Sequence, residues 1–213
     1  MNKSSLNFLL TEVHCHTQYA YCGDGITTIS AIERGKKLGL KNIYFTEHSG
    51  QLYLSNEDFW SAKFIDNPNL LLEGKLKDFY RMNKYRQEMF NIRSDFVKVG
   101  LEVDCDCNGK ITLLEEDKEG LDILLGACHW LPEKFCSKGT KEIEKGFMLV
   151  TENLLKEKVD ILVHPFRFFI KSKLETPVYL YKPVVELLAG YNVAAEINFH
   201  TNTPDPKFFE MCL

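Results

Sequence analysis

The chain has 213 residues, 45% of them hydrophobic, and a formal net charge of -4. That is long enough for one sizeable domain with its own core, and no internal linker divides residues 1–213. The acidic balance offers no clustered Lys and Arg for a phosphate backbone, which argues against nucleic acid as a partner beyond a small substrate end. The apolar runs are much shorter than the roughly 20 residues that cross a bilayer, and residues 1–5 carry no signal-peptide pattern. A soluble, cytoplasmic protein is expected. Seven cysteines, an odd number without a C-x-x-C pair, read as reduced thiols.

In chain order, short apolar runs alternate with helical patterns. The run LNFLLTEVHCH delivers His14 and His16, and the loop after it carries Cys22, Gly23, Asp24 and Gly25. A helix is predicted from about Thr28, whose hydroxyl can cap it, to Gly39. NIYFTEH ends at His48. From there to about Asn69 no period is visible despite Phe59, Trp60 and Phe64, so an irregular excursion over the strand ends is expected, able to act as a lid. Residues 73 to about 92 space Leu76, Phe79, Tyr80, Met82 and Met89 as one long amphipathic helix whose stripe serves core packing. DFVKVGLEVD then delivers Glu102, DILLGACH His129, DILVHP His164 and NVAAEINFH His200, with helices predicted over 141–158 and 182–190. Short strands separated by helices imply parallel β/α units, about six here, whose carboxyl ends collect chemistry on one face.

All six histidines stand at or near the ends of these runs. Residues i and i+2 of a strand point to one side, so His14 and His16 can reach one ion while Cys15 turns into packing. A single histidine on an apolar run is more often a core residue; the pair shifts the reading toward a metal. Imidazole with carboxylate suits zinc, manganese or iron better than magnesium or calcium. Glu102, after a β-branched run, needs a cation if it is buried, although a rim carboxylate paired with Lys or Arg would serve as well.

These residues resemble the PHP (polymerase and histidinol phosphatase) metallohydrolases, in particular the histidinol-phosphatase-like members. The resemblance rests on HCHT at 14–17, TEH at 46–48, GLEVD at 100–104, GACHW at 126–130 and HP at 164–165, each weak alone but strong as an ordered set along nearly the whole chain. It implies an α/β fold, a distorted β/α barrel of seven units, with up to three metal ions at the strand carboxyl ends. By the resemblance, His14 and His16 hold one ion, Glu102 bridges it to a second held also by His129 and His164, and His48 with Asp24 approach a third. A Gly-flanked turn explains Asp24 equally well.

The family's pattern closes with a D-x-H after its seventh strand, and the sequence reaches Leu213 without it. The expectation is therefore an incomplete barrel of about six units, C-terminally shortened, with two divalent ions (Zn, Mn or Fe) and a third weak or absent. Open strand edges would then invite pairing with another copy. The activity implied is hydrolysis of a small phosphomonoester such as histidinol phosphate, through a hydroxide bridging two ions about 3.5 to 4 Å apart. Glu102 would hold that bridge, and Arg167 would grip phosphate as a bidentate fork. Lys171 and Lys173 follow on the same loop and read equally as a solvated basic turn. Glu196 and Asn198 alternate on the sixth run and could line the cleft, whereas His200 reads as a surface residue. Cys105 and Cys107 could hold a separate ion with Cys22 or Cys128, but the paired spacing of structural zinc is missing, so packed thiols are expected. Two other readings stay open, a catalytically silent metal-binding domain and an amidohydrolase-like enzyme.

Overall fold

The computed structural model describes residues 10–23, 25–137 and 139–213. Six strands, β1 (Thr11–Cys15), β2 (Asn42–His48), β3 (Val97–Val103), β4 (Ile123–Gly126), β5 (Ile161–Leu162) and β6 (Ala194–Ala195), form one parallel sheet in sequence order. Helix α1 (Thr28–Lys37) follows β1, and α2 (Ser49–Tyr53), α3 (Asn56–Trp60), α4 (Lys63–Asp66), α5 (Asn69–Gly74) and α6 (Met82–Ile92) lie between β2 and β3. Helices α7 (Glu133–Cys136) and α8 (Thr140–Lys156) precede β5, α9 (Arg167–Lys171) and α10 (Tyr181–Tyr191) precede β6, and α11 (Pro206–Met211) comes last. Each crossover steps one strand in the same direction, which curls the sheet into part of a barrel. Among the described residues β1 and β6 do not pair, yet His14 Nδ1 meets Glu196 Oε1 at 2.9 Å, so side chains close the ring where backbone does not. The fold is the incomplete β/α barrel that the sequence implies.

Strand alternation divides the apolar residues between two faces. Phe45, Val99, Leu101 and Val103 belong to the main core with Met82, Tyr85, Met89, Phe147 and Leu154 from the helices. On the opposite, concave face a small cluster of Leu125, Ala127 and Val163 lies in register with Glu102, which β3 presents beside Leu125. Polar chemistry therefore sits on an apolar floor. Among the described residues no helix is long and apolar enough to cross a membrane.

Several elements differ from the sequence reading, each for a local reason. The cap of α1 is Thr27 rather than Thr28: its hydroxyl accepts from Ser30 N–H, and the Ser30 hydroxyl accepts in return from Thr27 N–H. Residues 49–74 are four short helices rather than an irregular stretch. Helices of four to six residues are too short to show a 3.6-residue period, yet Leu52, Tyr53, Phe59, Phe64 and Ile65 from them are all buried. The long helix predicted over 73–92 is broken after Gly74. A Cβ at Gly74 would stand 2.3 Å from the Tyr53 carbonyl oxygen, and Arg81 N–H donates to the Leu52 carbonyl at 2.8 Å, so this segment is pinned to α2 instead of running straight. Leu76 is left 86% exposed in the turn. The last two strands are two residues each, and β5 is followed at His164 by a left-handed backbone.

Gly100 packs β3 tightly against β4: a Cβ there would meet Ile123 Cγ2 at 2.4 Å and the Ile123 carbonyl oxygen at 2.5 Å. Backbone cannot yield as a side chain can, so Gly100→Ala should cost about 1–3 kcal/mol by overpacking. Urea denaturation of the two proteins would measure it, and unchanged stability would contradict the close β3–β4 register.

Candidate metal centre

Every histidine that the sequence places at a strand end, except His200, converges on one carboxylate. Glu102, 1% exposed, is in register with His48 on β2, so the two side chains emerge together and His48 Nδ1 stands 2.7 Å from Glu102 Oε2. The β1 ladder shifts between Glu12 and Cys15, and His14 N–H donates to the Glu12 carboxylate instead of a strand partner. Such a bulge re-aims side chains. It directs His14 Nε2 and His16 Nε2 to 3.2 and 3.5 Å from the same Glu102 oxygen. The other oxygen, Oε1, meets His164 Nε2 at 2.9 Å and His129 Nε2 at 3.3 Å.

Outer carboxylates hold three of these rings. Asp104 accepts from His129 N–H at 3.0 Å and lies 3.0 Å from His129 Nδ1, leaving Nε2 to face inward. Glu196 does two jobs: Oε1 pairs with His14 Nδ1, and Oε2 accepts from His164 N–H at 2.8 Å. His164 has φ of 34°, a left-handed conformation that costs a β-substituted residue energy, and the Glu196 bond helps to hold it. Glu47, fully buried, accepts from Thr17 N–H and hydroxyl, with its Oε2 3.4 Å from His16 Nδ1. Asp104 and Glu47 were not singled out from the sequence, although Asp104 shares a strand face with Glu102 at i+2, and that spacing was a usable signal.

Burial alone would raise the pKa of Glu102, but His48, His14 and His129 pull it well below the usual carboxylate range. Burial also disfavours a charged His14, yet Glu102 and Glu196 outweigh it and lift that imidazole to about 10. His48 and His164 go the other way, burial pushing them to about 4 and about 3. His129 is raised by Asp104 and Glu102 against its burial. Glu47, Glu102, Asp104 and Glu196 thus bring four carboxyl groups in among these rings.

The spacing of the donor set fits divalent cations. Around a tetrahedral zinc with bonds of about 2.0–2.1 Å, neighbouring ligand atoms stand roughly 3.3 Å apart. The three nitrogens around Glu102 Oε2 lie 2.7 to 3.5 Å from it, and that buried oxygen, with His48 Nδ1 and His16 Nδ1, has no hydrogen-bond partner of acceptable geometry. Such spacing without hydrogen-bond direction suits an ion shared among the atoms. His14, His16 and Glu102 form one group able to hold an ion; His48, Glu102 and His129 form another; His16, Cys22 and His48 form a third. His48 thus stands closer to the Glu102 centre than an assignment to a separate third ion suggests. Asp24 lies outside the described residues.

Arg167, at the start of α9, places Nη2 2.9 Å from His129 Nε2, so an ion at that nitrogen requires the guanidinium to swing toward the cleft. The cleft above, about 590 Å³, is lined at its metal end by His14, His16, His48 and His129, and by Phe59, Trp60, Trp130 and Phe168 on its walls. Lys171 lines it as well. Lys173 does not, and His200 is an exposed lining residue away from the cluster. Cys105 and Cys128 are buried in the main core, as expected of packed thiols.

The fold and donor set define a metal-site β/α barrel of one family. The chain matches the PHP domain family over residues 12–200 and belongs to it. Among solved structures it is similar to histidinol phosphate phosphatase from Lactococcus lactis subsp. lactis Il1403, complexed with zinc, L-histidinol and phosphate. The TM-score is 0.51 at 16% identity, covering 89% of this chain and 73% of that one. No curated protein matches.

A raised His14 pKa means that its pairing with Glu102 and Glu196 stabilises the chelator-treated protein fully below the unfolded value of roughly 6.5, and is lost as pH rises through about 10. An NMR titration of the chelator-treated protein should show His14 protonated through neutrality, with Glu196→Gln lowering its pKa. An ordinary value near 6.5 in both proteins would contradict the arrangement.

Proposed function

We propose that this chain is a metal-dependent phosphoesterase that hydrolyses a small phosphomonoester, with histidinol phosphate as the first candidate. The observation that carries the reading is the convergence of His14, His16, His48, His129 and His164 on Glu102 at the floor of an open cleft. In this reading His14, His16 and Glu102 hold one divalent cation, and Glu102, His129 and His164 hold the second. His48 contributes beside them, and Asp24 keeps its proposed place near a third. Two such ions, when bound, lower the pKa of a water toward neutrality and neutralise phosphoryl oxygens.

The protein's own groups would do the rest. Asp104 keeps a proton on His129 Nδ1 so that its Nε2 stays available as a donor of electrons, and Glu196 does the same for His14. Arg167 lies in the field of the Glu102, Glu196 and Asp104 carboxylates, and its planar fork suits two phosphoryl oxygens once a substrate enters. Lys171 at the cleft adds positive charge where a dianion approaches. The walls of Phe59, Trp60, Trp130 and Phe168 offer flat apolar faces for the organic part of the substrate, and Glu12 and Asn198 on the same cleft offer partners for its polar atoms. A compact, partly flat organic group fits this description, which supports an imidazole-bearing phosphomonoester. The similarity to a histidinol phosphate phosphatase supports the same candidate.

Loaded with manganese or zinc, the protein should hydrolyse p-nitrophenyl phosphate and, with greater kcat/KM, histidinol phosphate. His129→Ala should abolish both. Arg167→Ala should lower kcat/KM by roughly 10²-fold, the order expected for loss of one group that stabilises transition-state charge. Asp104→Asn should cost about 10–100-fold in metal affinity or activity. A metal-loaded, folded protein without phosphatase activity would contradict the proposal and favour a silent metal-binding domain.

A further inference from the structure

The loop after β1 brings a thiol to this site. Cys22 is exposed at the cleft, and its sulfur and one ring nitrogen each from His16 and His48 all lie within 4.8 Å of one another. The same two rings turn Nδ1 toward carboxylates, His48 to Glu102 at 2.7 Å and His16 to Glu47 at 3.4 Å, and His48 is only 7% exposed. The loop is held in this position by design of its packing rather than by chance exposure. A Cβ at Gly23 would stand 2.3 Å from the Thr17 carbonyl oxygen, so only glycine lets the loop fold back onto the segment that follows β1. Gln51, fully buried on α2, clamps it from below: its Oε1 accepts from Tyr21 N–H at 2.6 Å and its Nε2 donates toward Cys22 Sγ at 3.9 Å. Beyond this contact the Cys22 side chain lines the cleft.

We infer that Cys22 is a metal ligand, completing with His16 and His48 a two-nitrogen, one-sulfur site for a borderline-soft divalent cation beside the Glu102 centre. The inference rests on the metal-dependent reading of the same cleft and adds selectivity to it. The Glu102 centre offers only imidazole and carboxylate, donors that zinc, manganese and iron all accept. A thiolate shifts preference toward zinc or cobalt and away from manganese. On binding, the thiol proton leaves to solvent, the sulfur keeps its electron pair for the metal bond, and no oxidation occurs. Sharing of His16 and His48 between the two sets of donors would couple filling of this site to filling of the Glu102 centre.

Cobalt(II) titration of the full chain, after chelation, reports sulfur ligation directly. A near-ultraviolet thiolate-to-cobalt charge-transfer band should appear in the native chain and vanish in Cys22→Ser. Cys105, Cys107 and the other cysteines would sustain it if they were the source. In the native chain, without any substitution, zinc should slow iodoacetamide alkylation of Cys22 by about tenfold or more, because a coordinated thiolate is not free to attack. Peptide mapping by mass spectrometry separates Cys22 from the other thiols. Manganese should protect it far less. If cobalt binds with ligand-field bands alone and zinc leaves Cys22 alkylation unchanged, the assignment is overturned while the phosphoesterase reading stands. If neither cobalt nor zinc binds, both are overturned.

Discussion

Glu102 is the constraint around which this structure is arranged. An ionised carboxylate that is 1% exposed would cost several kcal/mol without partners, and the chain supplies five imidazoles from four different strand ends to meet it. Partners gathered at such density repel one another when protonated. The result is a split, with His14 drawn to about 10 while His48 and His164 are driven to about 4 and about 3. A cation would find the nitrogens of His48 and His164 already neutral and would displace the proton of His14, so the electrostatic cost of burying the acid and the capacity to bind metal are two views of one arrangement.

The sheet serves that arrangement in its details. Register pairs His48 with Glu102 across β2 and β3, and the close β3–β4 contact at Gly100 fixes where the carboxylate emerges. A bulge in β1 turns His14 and His16 inward, and the strained backbone at His164 turns the β5 end. Glu196 then ties His14 to His164 across the ring that strand pairing leaves open. Its carboxylate works as both a structural clasp and a brace for an inner imidazole, which is why a change there should be felt at both ends of the sheet.

Much of this was legible in the sequence because strand periodicity and ligand spacing are local signals. His14, His16, Glu102, His129 and His164 could be read from apolar runs that end in a donor, and the six parallel strands from the alternation of runs with helices. What escaped was long-range. The four short helices between His48 and Gly74 carry no period of their own, and their order comes from Phe59, Phe64 and Tyr53 packing into the core. The break before Arg81 depends on a bond to Leu52 that no spacing rule anticipates. The bracing roles of Asp104, Glu196 and Glu47 likewise depend on which ring each meets, and that is known only when the strands stand side by side. Cys22 was weighed with distant cysteines, whereas the fold sets it beside His16 and His48.

Anomalous diffraction at the zinc edge from a crystal grown with zinc tests the central claim most directly. The account predicts peaks on both sides of the Glu102 carboxylate, one bonded to His14 and His16 and another to His129 and His164, with Arg167 swung away from His129 Nε2. Zinc bound only elsewhere on the chain, with Glu102 still paired to imidazole alone, would contradict it.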